Sequence, residues 1–146
     1  MTIDILAQII VAGVLGTYVH LLIALWAPCL GLPRLDFPAW LANLTFGDSF
    51  EGKAPYSLGL IALHMNGIFF AFLYATAVGP LLPGPDLVKG LIYGGLLFFG
   101  SQCVFVPFFM KDGFFGSKVP GPTYLSAILV HGVFGLMYGW LCPIIY

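Results

Sequence analysis

Apolar and polar positions along this chain follow neither the 3.6-residue period of a surface helix nor the alternation of a half-buried strand. They fall instead into long apolar blocks separated by short polar segments. No charged residue lies between Ile5 and Pro33, between Ala54 and Pro85, between Gly90 and Met110, or between Val119 and Tyr146. A bilayer crossing needs about 20 predominantly apolar residues, and each block supplies one. The pattern predicts spans near Ile5–Ala27, Ser57–Gly79, Val88–Phe109 and Tyr124–Ile145. Strands of a transmembrane barrel would alternate apolar and polar residues, which runs such as LLIALW and GLLFFG do not. The expected fold is all-α: a polytopic four-transmembrane-helix bundle forming a single transmembrane domain over residues 1–146.

The segments between the spans differ in kind. A tight Pro/Gly connection, GPLLPGPD, predicts that the second and third helices are antiparallel neighbours. The first loop, Pro28 to Tyr56, carries a helix signature in its middle. Asp36 can cap, Pro38 suits a first turn, and Phe37, Trp40, Leu41 and Leu44 share one face before Gly47. A short interfacial helix in the headgroup region, anchored by Trp40, is expected there. Each span meets a proline near its end (Pro28, Pro80, Pro107 and Pro143), where a helix is expected to stop or kink. Glycines recur at three- to five-residue spacing (Gly13 and Gly16; Gly90, Gly94, Gly95 and Gly100; Gly132, Gly135 and Gly139), the mark of closely approaching membrane helices.

Composition sharpens this picture. The 5 basic and 6 acidic residues are 8% of the chain, and 60% is hydrophobic, so there is too little charge to coat a water-facing globule. A net charge of −1 gives no footprint for nucleic acid. The N-terminus lacks the basic region of a secretory signal, and Met1 onward reads as the mature chain. The 3 cysteines, Cys29, Cys103 and Cys142, have no paired spacing and predict buried thiols rather than a disulfide framework. Arg34, Lys53, Lys111 and Lys118 lie on the first and third loops against Lys89 alone on the second. The basic bias predicts that loops 1 and 3 are cytoplasmic. Tyr56, Trp26, Trp140 and Tyr146 fall near span ends, as an interfacial belt requires.

Candidate chemistry comes from depth. His20, His64 and His131 each lie seven residues from the loop 1 and loop 3 end of their span, which at 1.5 Å per residue is about 10 Å into the bilayer. Gln102 and Cys103 on the third span fall at nearly the same level, and Asn66 half a turn deeper. Polar groups at that depth face the bundle interior, pair with one another, and mark a site by default. Two imidazoles on facing helices can ligate a haem iron axially, and one can ligate the metal of another tetrapyrrole. Three imidazoles with the Cys103 thiolate form a candidate compact metal site. The alternative is structural, with the imidazoles bonded to Asn66, Gln102, Tyr18 or nearby carbonyls. No catalytic motif is present: there is no HExxH, CxxCH, P-loop or GxGxxG, and no carboxylate lies inside a span. No catalytic residue is assigned.

At GLPRLDFPAWLANL (Gly31–Leu44), with LHMNGIFFAFLYA and VHGVFGLMYG, the chain resembles an uncharacterised family of small four-span bacterial membrane proteins with a GxPRxD loop motif. The matching positions are Gly31, Pro33, Arg34 and Asp36. The resemblance implies the four-helix fold, a bacterial cytoplasmic (inner) membrane and no activity. A structural role suits Arg34 and Asp36, which can pair and fix the loop at the bundle mouth. With so little chain outside the membrane, the expected function is that of a small accessory subunit among other membrane proteins in a respiratory or photosynthetic assembly. It would hold haem b or another tetrapyrrole at His20, His64 and His131. Rival expectations are an independent small transporter or channel, or a membrane enzyme with an intramembrane metal.

Overall fold

A computed structural model describes residues 2–47 and 54–146 of the chain. Among the described residues there are helices and turns and no strand. Helix α1 spans Ile3–Trp26, opened by Thr2, whose hydroxyl accepts from the Ile5 amide at 3.4 Å. A 3-10 turn, Ala27–Leu30, extends it and ends at Gly31, whose φ of 72° is the left-handed conformation that glycine adopts without strain. Helix α2 is Phe37–Phe46, with the Asp36 carboxylate accepting from the Ala39 amide and Pro38 in the first turn. Helix α3, Tyr56–Leu73, continues through a wider π turn at Tyr74–Val78 and a 3-10 turn at Gly79–Leu81. Helix α4, Asp86–Gly100, continues as a π-helical segment over Ser101–Met110, and α5 is Thr123–Leu141. Four of these helical runs, Ile3–Leu30, Tyr56–Leu81, Asp86–Met110 and Thr123–Leu141, are long and apolar enough to cross a membrane. The protein is an all-helical bundle suited to a bilayer.

The spans pack in the order α3, α1, α5, α4, and α2 lies against α3. Two glycine seams set this order. A Cβ on Gly67 of α3 would strike the Thr17 hydroxyl of α1, and one on Gly13 would come within 2.6 Å of the Ile68 backbone. On the other side Gly90 and Gly94 of α4 meet Gly135 and Gly139 of α5 backbone to backbone. Lipid supplies no hydrophobic drive for helix association, so such close approach and its dispersion contacts hold the pairs together.

This order corrects the expectation that the second and third spans are packed neighbours. The short turn makes α3 and α4 antiparallel, yet they make little direct contact. The glycines of α4 face α5, and they decide the partner. Only near the turn are α3 and α4 tied, by Tyr74 Oη donating to the Asp86 carbonyl at 3.3 Å and Tyr93 Oη to the Phe70 carbonyl at 3.0 Å. Beyond those bonds a groove separates them.

Three other expectations change. Pro107 does not end its helix; the π segment carries it through to Met110, and Lys111 stops it with a φ of 62°. Proline lacks an amide hydrogen and its ring crowds the carbonyl four residues back, a conflict that the wider π turn relieves. The fourth helix ends at Leu141 rather than Ile145, because Pro143 disfavours the α conformation at Cys142, which is extended. Trp40 is half-buried and packs edge-on against Phe37 at 5.3 Å, turned toward the bundle rather than standing free as an outer anchor. Trp26 and Trp140, 67% and 71% exposed, occupy the outer surface near span ends.

Candidate functional site

The groove between α3 and α4 deepens into a cavity of about 350 Å³. Its floor is Thr17 and His20 of α1 with His131 and Phe134 of α5. One wall is Leu63, Asn66, Gly67 and Phe70 of α3, and the other is Leu96, Leu97, Gly100 and Ser101 with Val104, Phe105 and Phe109 of the π segment. Phe37, Trp40 and Leu41 of α2 close the end. Asn66, Leu96, Gly100, Val104 and Phe109 at the rim are exposed on the outer face of the bundle, so in a membrane the cavity opens sideways to lipid. Among the described residues no charged side chain lines it.

Each part of this cavity has a local cause. The second wall runs through the point where the α-helix gives way to the π segment after Gly100, which contributes Ser101, Val104, Phe105 and Phe109. The loop that precedes α2 is pinned on both sides: the Leu35 amide donates to the Ala24 carbonyl at 3.2 Å, and Ser126 Oγ donates to the Pro33 carbonyl at 2.7 Å. Pinned there, the loop delivers Phe37 onto His20, with the rings stacked at 4.7 Å. Arg34 and Asp36 form an ion pair at 3.2 Å, with the arginine side chain 56% exposed; such a pair adds little to stability.

His20 and His131 meet at the cavity floor, with ring centroids 5.8 Å apart and planes at 81°. Both are buried, at 7% and 9% exposure. His131 Nδ1 lies 2.8 Å from the Ala127 carbonyl one turn back in its own helix. A carbonyl only accepts, so Nδ1 carries the proton and Nε2 presents a lone pair. His20 makes no side-chain hydrogen bond among the described residues. Thr17, one turn before it, is satisfied by donating to the Gly13 carbonyl at 2.7 Å.

The remaining residues of the expected layer are placed elsewhere. His64 is half-buried, takes the Leu60 carbonyl at 2.9 Å, and does not line the cavity. Counting depth fixed its height but not its direction: at about 100° per residue, His64 and Asn66 point to nearly opposite sides of α3. Cys103 is half-buried and lines neither this cavity nor the next. Among the described residues no three His, Cys, Asp or Glu side chains gather as a metal site, so the set of His20, His64, His131 and Cys103 is not assembled. Nor do His20 and His131 bracket a macrocycle. The edge of one imidazole meets the face of the other, and Phe37, Phe98 and Phe134 pack against the two rings. The expected polar partners also differ. Tyr18 is 53% exposed on the outer surface, and Gln102 Nε2 donates to Ser101 Oγ at 3.4 Å.

A second cavity of about 240 Å³ lies toward loops 1 and 3, with Arg34, Gln102, Asp112 and Thr123 on its lining. It shares Phe37, Trp40, Ser101 and Phe105 with the first.

Sequence reasoning missed the aromatic framework. Tyr74, Tyr93 and Tyr138 form a buried cluster with ring centroids 5.2 to 6.1 Å apart, and Tyr138 Oη donates to the Gly67 carbonyl at 2.5 Å. Phe134 links Tyr138, at 4.5 Å, to His20, at 5.0 Å. The available signal was the spacing of Tyr93 beside Gly90 and Gly94, and of Phe134 and Tyr138 about Gly135, which puts each ring on a packed face. No protein-family model, curated protein or solved structure matches the chain.

Proposed function

We propose that this chain is a small integral membrane subunit whose lateral groove holds a planar, lipid-soluble ligand against His131 and His20. The carrying observation is the His131 imidazole. Its Nδ1 proton is committed to the Ala127 carbonyl, which leaves Nε2 free to accept, on a side chain that lines an uncharged cavity open to lipid. An imidazole oriented by a backbone carbonyl in this way suits a metal-bound ring or a hydrogen-bonding one. A tetrapyrrole would be held by His131 alone, since the second imidazole is not across from it. Cavities of this size accept a small molecule when a few convergent polar groups fix it. The walls supply apolar and aromatic contact, and the side opening admits a ligand directly from the bilayer. The four membrane-suited helices, with an apolar groove on the flank of the bundle, support a role within or beside a larger membrane assembly, in the orientation with loops 1 and 3 cytoplasmic.

The test is purification from the native membrane in mild detergent, followed by absorption spectroscopy and mass spectrometry of an organic extract. Near-stoichiometric recovery of one planar ligand is expected, with loss of that ligand when Ser101→Trp fills the groove. Recovery of bulk phospholipid alone would contradict the proposal. A stable, solitary monomer from native membranes would contradict the subunit role.

A further inference from the structure

We infer that the groove is a quinol-class site, in which one ring hydroxyl is bracketed by His131 and His20; this rests on the lateral-groove reading above. In hydrocarbon an unpaired polar atom is costly, so buried imidazoles find partners. Neither His131 Nε2 nor either ring nitrogen of His20 has a hydrogen-bond partner among the described residues, and no wholly buried side-chain nitrogen is left unpaired there, so these atoms keep a little accessible surface where the two rings line the cavity. Both imidazoles line the same floor, 5.8 Å apart. That spacing lets both reach one oxygen at ordinary hydrogen-bond distance. A hydroxyl meets both needs, since its proton goes to His131 Nε2 and its lone pair accepts from the N–H of His20. A metal at the centre of a tetrapyrrole would use His131 and leave His20 unpaired.

Size and shape agree. A cavity of about 350 Å³ holds a single substituted ring more readily than a macrocycle. Phe70, Leu97 and Phe105 offer faces for that ring, and Asn66, an exposed amide on the rim, offers a partner for the second ring oxygen. An isoprenoid tail leaves past Leu96 and Val104, which are 51% and 52% exposed toward lipid. No electron or proton transfer is part of the inference.

Trp40 reports on the site. Of the three tryptophans, Trp26 and Trp140 stand on the outer surface and Trp40 lines the cavity, so Trp26→Phe with Trp140→Phe leaves a single emitter there. The full chain in this background, in detergent micelles, is titrated with reduced decylubiquinone. Saturable quenching of Trp40 is expected. His131→Phe and His20→Phe are each expected to weaken apparent affinity about tenfold, the loss of one buried hydrogen bond. His64→Phe is expected to leave it unchanged, and decylbenzene, which has a ring and tail but no oxygen, to compete poorly. Where His131→Phe fails to fold, His131→Gln keeps an acceptor and is expected to bind more weakly than wild type yet measurably. Non-saturable quenching, or equal affinity in wild type and both histidine variants, overturns the quinol assignment. Should the native extract then yield a tetrapyrrole, the groove survives with a different occupant; an empty groove in both experiments refutes both readings.

Discussion

Adjacent glycines on α4 offer a matched test of how this bundle is held. A Cβ on Gly94 would meet the His131 carbonyl oxygen and come within 3.1 Å of Gly135 Cα, whereas one on Gly95 meets nothing within 4 Å. Replacing glycine by alanine in a helix gains about 1 kcal/mol of propensity, and Gly95→Ala should show most of that gain. At Gly94 the same gain is outweighed. The two backbones must separate by on the order of 1 Å, and a gap of that size forfeits a quarter to a half of each affected dispersion contact. Overpacking of this kind costs about 1–3 kcal/mol, and because the propensity gain is common to both, the two variants should differ by about 1–3 kcal/mol. Reversible unfolding in mixed detergent–SDS micelles, followed by circular dichroism, measures the difference. Equal stability would refute the view that backbone contact along Gly90, Gly94, Gly135 and Gly139 fastens α4 to α5. Because the obstructing oxygen belongs to His131, Gly94→Ala should also weaken ligand retention where Gly95→Ala does not.

Other expectations follow from single contacts. Tyr138→Phe removes the hydroxyl donated to the Gly67 carbonyl and should cost about 1 kcal/mol in the same unfolding assay. Ser126→Ala releases the Pro33 carbonyl and should cost about as much while raising protease sensitivity of the first loop. By contrast, Arg34→Ala breaks an exposed pair and should cost less than about 1 kcal/mol. Cys29 is exposed and Cys142 buried, so a maleimide should label the first and spare the second in folded protein. With a membrane-impermeant maleimide, Cys29 should react in inverted vesicles and not in intact cells; the opposite result reverses the proposed orientation.

Much of the fold was legible because charge is so sparse. The gaps between charged residues bounded the four spans, and Asp36, Pro38 and Gly47 marked α2, whose ends are where capping rules put them. What the sequence left open was direction around each helix axis. In lipid the outer and inner faces of a span are both apolar, so periodicity carries little information about which face is packed. Depth counting therefore put His20, His64 and His131 at one level, yet only His20 and His131 face the same cavity. The turn GPLLPGPD fixed an antiparallel hairpin but not its packing, which Gly90 and Gly94 decide in favour of α5. The groove depends on the π segment at Ser101–Met110, and a lone Pro107 in sequence reads as a helix end rather than as a widened turn. Tyr74, Tyr93 and Tyr138 were not legible for a related reason: each is one aromatic ring among many on an apolar span, and only the packed structure brings the three together.

The central claim, that the lateral groove at His20 and His131 holds a lipid-soluble ring ligand, is tested most directly by native mass spectrometry of the chain released from its own membrane. The account predicts one small-molecule adduct on the wild type, retained in His64→Ala and lost in His131→Ala and Ser101→Trp. A bare chain in every case, or an adduct indifferent to His131, would contradict it.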